Sequence, residues 1–363
     1  MTPDPLVTIG WDVGGVQVKA ARVESRAGRP REIRTAVRAL EIWRRRDQLP
    51  DILRELAGEL SVDATAAHAL TMTAELSDAF RDKREGVLFV MDGLGAAFPR
   101  SAVLAFDGDG VFVPLPEART RPLAFAATNW IASALYAAPR IGEGILVDVG
   151  STTTDIVPIR DGRLACEGRT DLDRLIAGEL VYSGVLRTNP NTLASTVPVR
   201  GRPCRLAAEQ FAVMADVYLI LGQIDAEDYT CPTPDGRAAS PSASRERLAR
   251  LVCADREMLS DGEILGIARY LRERHLQAIG EGLLQVLSRW EALRPVAVAP
   301  CGAGAFLASA VAARLGLEIL PVAGLWGAAG ATLPAAAAAC LLASHLESLP
   351  DPDVEASQRD TLP

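Results

Sequence analysis

The chain has 363 residues, of which 49% are hydrophobic and 23% are charged, as expected of a globular protein with about two domains. Its net charge of −8 at pH 7 argues against broad nucleic-acid binding, which requires clustered positive charge. Only 5% of the residues are aromatic, so a platform that stacks bases is also disfavoured.

The six cysteines and three histidines are widely spaced and include no C-x-x-C pair, so we do not expect a zinc site. The longest apolar run, 331–343, is shorter than the ~20 residues of a membrane span. No signal-peptide pattern is visible at the N-terminus. These features predict a cytoplasmic protein with reduced thiols, and neither nucleic acid nor membrane as a partner.

The first half of the sequence predicts a β-hairpin followed by a mixture of helices and strands. In chain order we expect strands at 6–10 and 16–23, a helix at 47–60, strands at 66–72, 86–91, 101–106 and 111–113, and a helix at 124–138. That helix is predicted to end before Pro139 and to mark the domain boundary.

The second half predicts a second hairpin, 144–159, and then a largely helical region. In chain order we expect helices at 174–186 and 205–221, a loop at 226–244, a helix from the capping box of Ser260 and Glu263 to Ile279, a strand at 296–299, a helix to 313, a strand at 318–322 and a helix at 326–346. The predicted domains are 1–139, 140–347 with a helical insertion at about 170–294, and a disordered tail, 348–363.

Two turns half a chain apart share one pattern, in which a short apolar strand leads to an acidic residue and a glycine. The first turn follows Asp12, and the second follows Asp148. Backbone N–H groups in such turns bind anions, and glycine removes the Cβ that would block the approach. A carboxylate beside a phosphate needs a cation, so Asp12 and Asp148 predict bound Mg²⁺.

A single glycine hairpin is usually a plain turn, but two of them, with a third glycine turn near the end, favour binding of a phosphorylated small molecule. Lys19, on the returning strand of the first hairpin, is predicted to neutralise a phosphate oxygen. The residues predicted to bind phosphate are Gly14, Gly15, Gly150, Ser151, Thr152, Thr153, Gly302 and Gly304.

These segments resemble the actin, Hsp70 and sugar-kinase superfamily. Residues 10–23 and 145–159 are similar to its two phosphate segments, and 296–307 to its adenosine-side glycine segment. The resemblance implies an α/β fold of two ribonuclease-H-like lobes with a central cleft. Because such turns suit a nucleotide as well as a simple diphosphate, ATP is left open as a ligand.

The hydroxyl-rich turn 148–155 and the segment 179–188 resemble the hydantoinase A/oxoprolinase family. Residues 10–15, 71–78, 127–130 and the Tyr182 segment are similar to its short members linked to tetrahydromethanopterin-dependent one-carbon metabolism. One departure is that this chain has Gly14-Gly15-Val16-Gln17 where the family has Gly-Ala-Asn after the first glycines. The resemblance implies synthesis of a methanofuran or methylofuran cofactor. An aminomethyl-furanmethyl diphosphate would condense with a tyramine- or tyrosine-type phenol and release pyrophosphate.

In that reaction, Mg²⁺, Lys19 and the turn amides would stabilise the leaving diphosphate, and a carboxylate would accept the phenol proton. Glu75 and Asp155 are the candidate bases. The alternative roles are a charge at a helix N-terminus for Glu75 and a turn-capping hydrogen bond for Asp155. The candidate substrate-binding residues are Thr71, Thr73, Asp78, Tyr182, Arg187 and Thr188. N-capping by the first three and a surface position for Arg187 are the alternatives.

Two other functions stay open at this point, an ATP-dependent hydrolase of cyclic amides and a non-catalytic nucleotide sensor. The short chain and the segments similar to one-carbon proteins favour the transferase. The sequence leaves the oligomeric state open, with a homodimer as one option.

Overall fold

The computed structural model describes residues 5–26, 29–63, 65–290, 296–321 and 326–349. Its strands are β1 Leu6–Val13, β2 Gln17–Arg26, β3 Arg29–Ala39, β4 Ala67–Met72, β5 Val103–Phe106, β6 Phe112–Pro114, β7 Gly144–Val149, β8 Thr154–Arg160, β9 Arg163–Leu164, β10 Leu180–Val181, β11 Thr196–Val199, β12 Arg202–Arg205, β13 Ala297–Cys301 and β14 Glu318–Ile319. Its α-helices are α1 Ile42–Arg45, α2 Leu49–Glu59, α3 Lys83–Ala97, α4 Leu115–Ala118, α5 Asn129–Ile141, α6 Asp171–Ala177, α7 Met214–Ile220, α8 Pro241–Arg250, α9 Asp261–Leu287, α10 Ala305–Arg314 and α11 Leu333–Ser348.

The chain divides into two compact units, of which unit 1 comprises Met1–Ala137 with Thr332–Pro363, and unit 2 comprises Ala138–Ala331. The expectation that the last helix belongs to the second domain is therefore wrong. Helix α11 packs on β1, where Thr8 donates a 2.9 Å hydrogen bond to the carbonyl of Ala339. A Cβ at Gly10 would collide with the carbonyl of Ala335, so glycine permits this close contact.

The sheet of unit 1 has the strand order β3-β2-β1-β4-β5-β6. Strands β1, β2 and β3 are antiparallel neighbours, whereas β4 runs parallel to β1, and β5 parallel to β4. Buried side chains of α2 and α3 share one apolar cluster with β1, while the Ala-rich helix α11 lies against β1 and β2. Helices α2, α3 and α11 thus cover the sheet and bury apolar side chains of β1 and β4.

The sheet of unit 2 repeats the same arrangement, with the order β10-β8-β7-β13-β14 and β9 paired to β8. The first two strands, β7 and β8, form an antiparallel hairpin, and β13 and β14 run parallel to β7. In each unit a hairpin is thus extended on one side by antiparallel pairing and on the other by parallel strands. This is the ribonuclease-H-like order, and it confirms the predicted α/β fold.

Several predicted elements differ from the structure for local reasons. The predicted strand 86–91 lies inside α3, because a short apolar run does not by its period distinguish a strand from a buried stretch of helix. The predicted helix 174–186 ends at Ala177, since Gly178 adopts φ 72° and caps the helix in the left-handed region. Pro139 lies within α5 instead of following it.

The insertion also departs from the predictions. Of the predicted helix 205–221 only α7 forms, and the predicted loop 226–244 ends at α8, which Ser240 caps. The capping box of Ser260 and Glu263 opens α9 as predicted. The last predicted strand shortens to β14, with Val322 outside the described residues, and the predicted disordered tail lies outside them from Pro350 onward.

The apolar run near the C-terminus is longer than the sequence indicated. Residues Ala329–Ser348 have the length and composition of a membrane span, but about two thirds of this apolar stretch, 67%, is buried inside the protein. Its main part is α11, whose alanines cover β1. We therefore assign α11 to the core of unit 1.

Candidate functional site

The first glycine turn joins β1 to β2. The N–H of Gly14 donates a 2.9 Å hydrogen bond to the carbonyl of Gln17, which closes the turn. Gly15 is open to solvent on its Cβ side, and its N–H donates to no acceptor in the described part of the chain. The donor that this turn offers to an anion is therefore the N–H of Gly15, and Gly14 shapes the turn.

Asp12 and Lys19 are cross-strand partners in this hairpin. Asp12 is 3% exposed, and its Oδ2 lies 3.5 Å from Nζ of Lys19. The lysine side chain keeps 23% of its surface exposed, so its ammonium can still meet a ligand. One buried carboxylate and one accessible cation thus stand next to the open Gly15.

The end of β4 and the loop after it carry four predicted site residues. Thr71 is buried, and its hydroxyl donates a 2.9 Å hydrogen bond to the carbonyl of Trp11, which links β4 to β1. Thr73 is exposed and lies beside the first turn, with its Oγ1 3.5 Å from the Cβ position of Gly14. Asp78 is also exposed. Of these three, Thr73 is the one that the structure brings to the turn.

Glu75 is 2% exposed and sits in the loop between β4 and α3. The loop follows the end of β1 closely, since the N–H of Ala74 donates to the carbonyl of Val13 at 3.1 Å. Its backbone lies against α3, where a Cβ at Gly86 would be 2.5 Å from the carbonyl of Glu75. Helix α3 starts only at Lys83 and is capped by Asp82, so neither Glu75 nor Asp78 is a helix-terminal residue as the alternative reading had it.

The second turn has the same closure as the first. The N–H of Gly150 donates a 2.8 Å hydrogen bond to the carbonyl of Thr153, three residues on, as Gly14 does to Gln17. The hydroxyls of Ser151 and Thr152 lie 3.4 Å apart on the turn. The two hairpins are therefore equivalent in backbone geometry, which supports the internal repeat that the sequence indicated.

The segment 182–188 fixes the orientation of the second turn. The N–H of Val185 donates to the carbonyl of Gly150 at 2.9 Å, and those of Leu186 and Arg187 donate to the carbonyl of Ser151 at 3.1 and 3.0 Å. In a trans peptide the N–H points opposite to the C=O. The next N–H groups along the turn, those of residues 151 and 152, therefore point away from this segment, and within the described residues they donate to no acceptor. They are the N–H groups that the second turn leaves available to an anion.

The late glycine turn serves a different purpose from the one predicted. The N–H of Gly302 donates to Gly330 at 3.0 Å, and the N–H of Gly304 donates to Val149 at 2.8 Å. Gly302 has φ 80°, and a Cβ on it would collide with Oδ1 of Asp148. Both amides are thus used inside unit 2, and these glycines make room for the end of β7 instead of donating to phosphate.

Asp155 is held in an ion pair. Its Oδ1 accepts a 2.7 Å hydrogen bond from Nη1 of Arg174, whose other terminal nitrogen donates to the carbonyl of Glu179 at 2.9 Å. The carboxylate of Glu179 is fully buried and accepts from the N–H groups of Glu167 and Gly168 at 2.8 and 3.0 Å. Asp155 is therefore tied to a buried network, which disfavours it as a base.

Of the three remaining predicted contacts, one has a structural role. The hydroxyl of Thr188 accepts from the N–H of Gly184 at 2.8 Å and lies 3.1 Å from the hydroxyl of Ser183, so it closes the loop. Tyr182 is 62% exposed and Arg187 is half-buried, so both side chains remain candidates for a ligand contact.

Sequence reasoning missed Arg174, an arginine in a chain rich in arginine. It also treated Glu179 only as part of a motif. Burial is the larger cause, and the negative charge of Glu179 the second, that raises the pKa of the nearby Cys166 thiol to about 12. This thiol is therefore protonated at neutral pH. No sequence signal separates these residues from their neighbours, because their environment depends on the packing of α6.

Comparisons with known proteins agree with this architecture. The family model described as hydantoinase/oxoprolinase matches residues 66–345. The chain belongs to the hydantoinase/oxoprolinase family. This confirms the resemblance seen in the sequence, and the first glycine turn lies outside the matched range.

Two curated relatives carry the same name, (4-{4-[2-(gamma-L-glutamylamino)ethyl]phenoxymethyl}furan-2-yl)methanamine synthase. The protein from Methanocaldococcus jannaschii is 39% identical over 286 residues, which is 78% of this chain and 83% of its own length. The protein from Methanococcus vannielii is 42% identical over 124 residues, 34% of this chain and 55% of its own length.

Solved structures are similar at the level of the fold. A nucleotide-free acetone carboxylase aligns with a TM-score of 0.53 and 10% identity, over 92% of this chain and 70% of that one. The ethanolamine utilization protein EutJ from Carboxydothermus hydrogenoformans aligns with a TM-score of 0.45 and 16% identity, over 94% and 91%. The likeness to the acetone carboxylase is one of fold.

In the described residues no group of three or more His, Cys, Asp or Glu side chains could hold a metal ion. Mg²⁺ does not need such a group, because it keeps several waters and uses one or two carboxylates together with substrate phosphates. Asp12 in unit 1 and Asp148 in unit 2 each provide a carboxylate of the kind that such a site uses.

Proposed function

We propose that the protein is a transferase of one-carbon cofactor biosynthesis that joins an aminomethyl-furanmethyl diphosphate to a tyramine- or tyrosine-type phenol. The observation that carries the proposal is the 39% sequence identity to the synthase from Methanocaldococcus jannaschii. The alignment covers 83% of that protein. The printed name of that relative describes an ether between a phenol oxygen and a furanylmethyl carbon. Two glycine turns that offer anion donors supply what the departure of a diphosphate needs.

The proposed step balances without an oxidant or reductant. The bond between the furanylmethyl carbon and the diphosphate oxygen breaks, and its electron pair leaves with pyrophosphate. The phenol oxygen forms the new bond to that carbon, and its proton passes to a carboxylate. The furan ring delocalises positive charge on the carbon, so negative charge builds on the leaving group, where hydrogen-bond donors stabilise it.

Unit 1 offers a diphosphate the N–H of Gly15 and the ammonium of Lys19, and unit 2 by itself offers the N–H groups of Ser151 and Thr152. Asp12 and Asp148 are the carboxylates proposed for Mg²⁺. When bound, Mg²⁺ would neutralise charge on the diphosphate.

Glu75 is the preferred base, because the other candidate, Asp155, is paired with Arg174. A free phenol has a pKa of about 10, so removal of its proton at neutral pH benefits from a base. Thr73 is assigned to substrate binding next to the first turn. Tyr182 and Arg187 are assigned to the acceptor, whose carboxylate an arginine can bind through two parallel hydrogen bonds.

The match to the hydantoinase/oxoprolinase model supports a second candidate, an ATP-dependent hydrolase of cyclic amides. The two candidates consume different compounds. Purified protein is incubated with Mg²⁺ and either the furanylmethyl diphosphate with tyramine, or ATP with 5-oxoproline or hydantoin. Mass spectrometry should detect the ether and pyrophosphate in the first mixture. Ring opening with ATP consumption, and no ether, would replace the transferase by the hydrolase.

A further inference from the structure

A fully buried arginine, Arg247 of α8, lies in the helical insertion of unit 2 and joins three elements. Its Nε donates a 2.7 Å hydrogen bond to Oδ1 of Asp216 in α7, and its Nη1 donates to Oδ1 of Asp235 at 3.0 Å. Its Nη2 donates to the hydroxyl of Ser244, one turn earlier in α8, at 3.1 Å. Hydrophobic residues of similar volume are often at least as stabilising as a buried ion pair. The role of Arg247 is therefore sought in the elements that it joins.

The first of these elements, α7, fixes the backbone on both sides of Arg187. Oδ2 of Asp216 accepts a 3.1 Å hydrogen bond from the N–H of Val213, directly before the helix. The first N–H of α7 donates to the carbonyl of Thr188 at 2.9 Å, and the second donates to the carbonyl of Leu186 at 3.0 Å. Arg187 stands between these two carbonyls. The pair of Asp216 with Arg247 thus holds the helix end on which the Arg187 backbone depends.

The second element is the loop 226–239, which lies close to the side chain of Arg187. Asp235 of this loop accepts from Arg237 and Arg250 at 2.8 and 3.2 Å, in addition to the bond from α8 described above. Cys231 of the same loop is 8% exposed. Burial raises the pKa of the Cys231 thiol to about 12, and the positive charge of Arg187 opposes this rise. Because such an effect acts over a short distance, the loop and the Arg187 guanidinium are neighbours.

We propose that Arg247 is a positioning residue for Arg187. It connects the helix that fixes the Arg187 backbone to the loop beside the Arg187 side chain, so both supports move together. An arginine binds a carboxylate through two parallel hydrogen bonds only in a defined orientation. The inference rests on the proposed function, in which Arg187 binds the acceptor. It makes the preferred acceptor a phenol that carries a carboxylate, such as tyrosine, over tyramine, which has none.

The test compares KM for tyrosine and for tyramine in ether formation with the furanylmethyl diphosphate and Mg²⁺. Lysine has one compact ammonium and cannot reach three acceptors as a guanidinium does. In Arg247→Lys, KM for tyrosine should rise about tenfold, the effect of losing one hydrogen bond between charged groups, while KM for tyramine and kcat should hardly change. Arg250→Lys is the matched control on the same helix and the same Asp235. Its guanidinium is partly exposed, so both KM values should stay within about twofold of wild type.

The double variant Asp216→Leu/Arg247→Met replaces the buried ion pair by apolar side chains, so it serves as the measurement if Arg247→Lys does not fold. A rise in KM that is confined to tyrosine supports the proposal. An equal rise for both acceptors, an unchanged KM for tyrosine, or a wild-type protein with the same KM for both acceptors overturns it. Absence of ether formation by the wild-type protein with either acceptor would instead contradict the proposed function.

Discussion

A Cβ on Gly184 would lie 2.5 Å from the backbone nitrogen of Thr152, so these two residues are in direct contact only because one of them is a glycine. The same Cβ would lie 2.6 Å from the carbonyl oxygen of Gly150, which accepts a hydrogen bond from Val185. Backbone atoms surround the position, so no side chain can give way. The segment 182–188 and the second turn therefore form one rigid element.

The first prediction concerns this contact. Gly184→Ala should destabilise the protein by about 1–3 kcal/mol, the usual range for forced overpacking. It should also weaken binding of Mg²⁺-pyrophosphate, because the N–H groups of the second turn are displaced. Urea unfolding and calorimetry measure the two effects. Gly266→Ala is the matched control, since its Cβ would meet nothing within 4 Å in α9, and it should bind like wild type.

The second prediction concerns the ammonium group at the first turn. Lys19→Met should lower the rate of ether formation by about 10²–10³-fold, the range for loss of one charge-stabilising donor. Thermal stability should also fall, because the variant removes this cation from the buried carboxylate of Asp12. Lys83→Met, the same change at the other lysine of the chain, is the control. Equal rates for the two variants would remove Lys19 from the mechanism.

The third prediction separates the two candidate bases. Glu75→Gln should lower kcat for ether formation by about 10²–10⁴-fold, the range for general base catalysis. Asp155→Asn should keep most of the activity, because its carboxylate is directed at Arg174. Leu76→Ala, at an exposed residue of the Glu75 loop, is the control for local disturbance. Inactive Asp155→Asn with active Glu75→Gln would reverse the assignment.

The fourth prediction is a pH dependence of stability. Burial lowers the pKa of His68 and of His275 to about 4. The unfolded chain binds these protons near the ordinary pKa of about 6.5, so the stabilisation is complete above that pH and is lost as the pH falls from 6.5 to 4. Each histidine contributes about 3 kcal/mol to this loss.

His68→Gln tests the prediction, since its amide oxygen can still accept the hydrogen bond that Trp11 donates to Nδ1 of His68 at 3.1 Å. The free energy of unfolding in urea, measured at pH 7 and pH 4.5, should decrease less in the variant than in wild type. An identical decrease in both proteins would show that His68 does not titrate as described.

Features set by local sequence were predictable. Each glycine hairpin was predicted because two short apolar strands flank an acidic residue and a glycine, and the structure places strands on both sides of each turn. The capping box of Ser260 and Glu263 likewise specified the start of α9. In these cases neighbouring residues determine the backbone, so distant packing has little influence.

Features set by packing were not predictable from the sequence. Whether a glycine N–H faces a ligand or an internal carbonyl depends on strands far away in the chain, and the amides of Gly302 and Gly304 proved to face inward. The ion pair of Arg174 arises only when α6 folds back onto β8. The assignment of α11 to unit 1 joins residues more than 300 positions apart, as in the hydrogen bond from Thr8 to Ala339.

The most direct test of the central claim is the fate of the phenol oxygen. Tyramine labelled with ¹⁸O in the phenol is incubated with the furanylmethyl diphosphate, Mg²⁺ and the wild-type protein. The masses of the products are then measured by mass spectrometry. Displacement of diphosphate from carbon predicts that the ether retains the ¹⁸O and that the pyrophosphate contains none. Label in the phosphate product, or no ether at all, would contradict the proposed transferase.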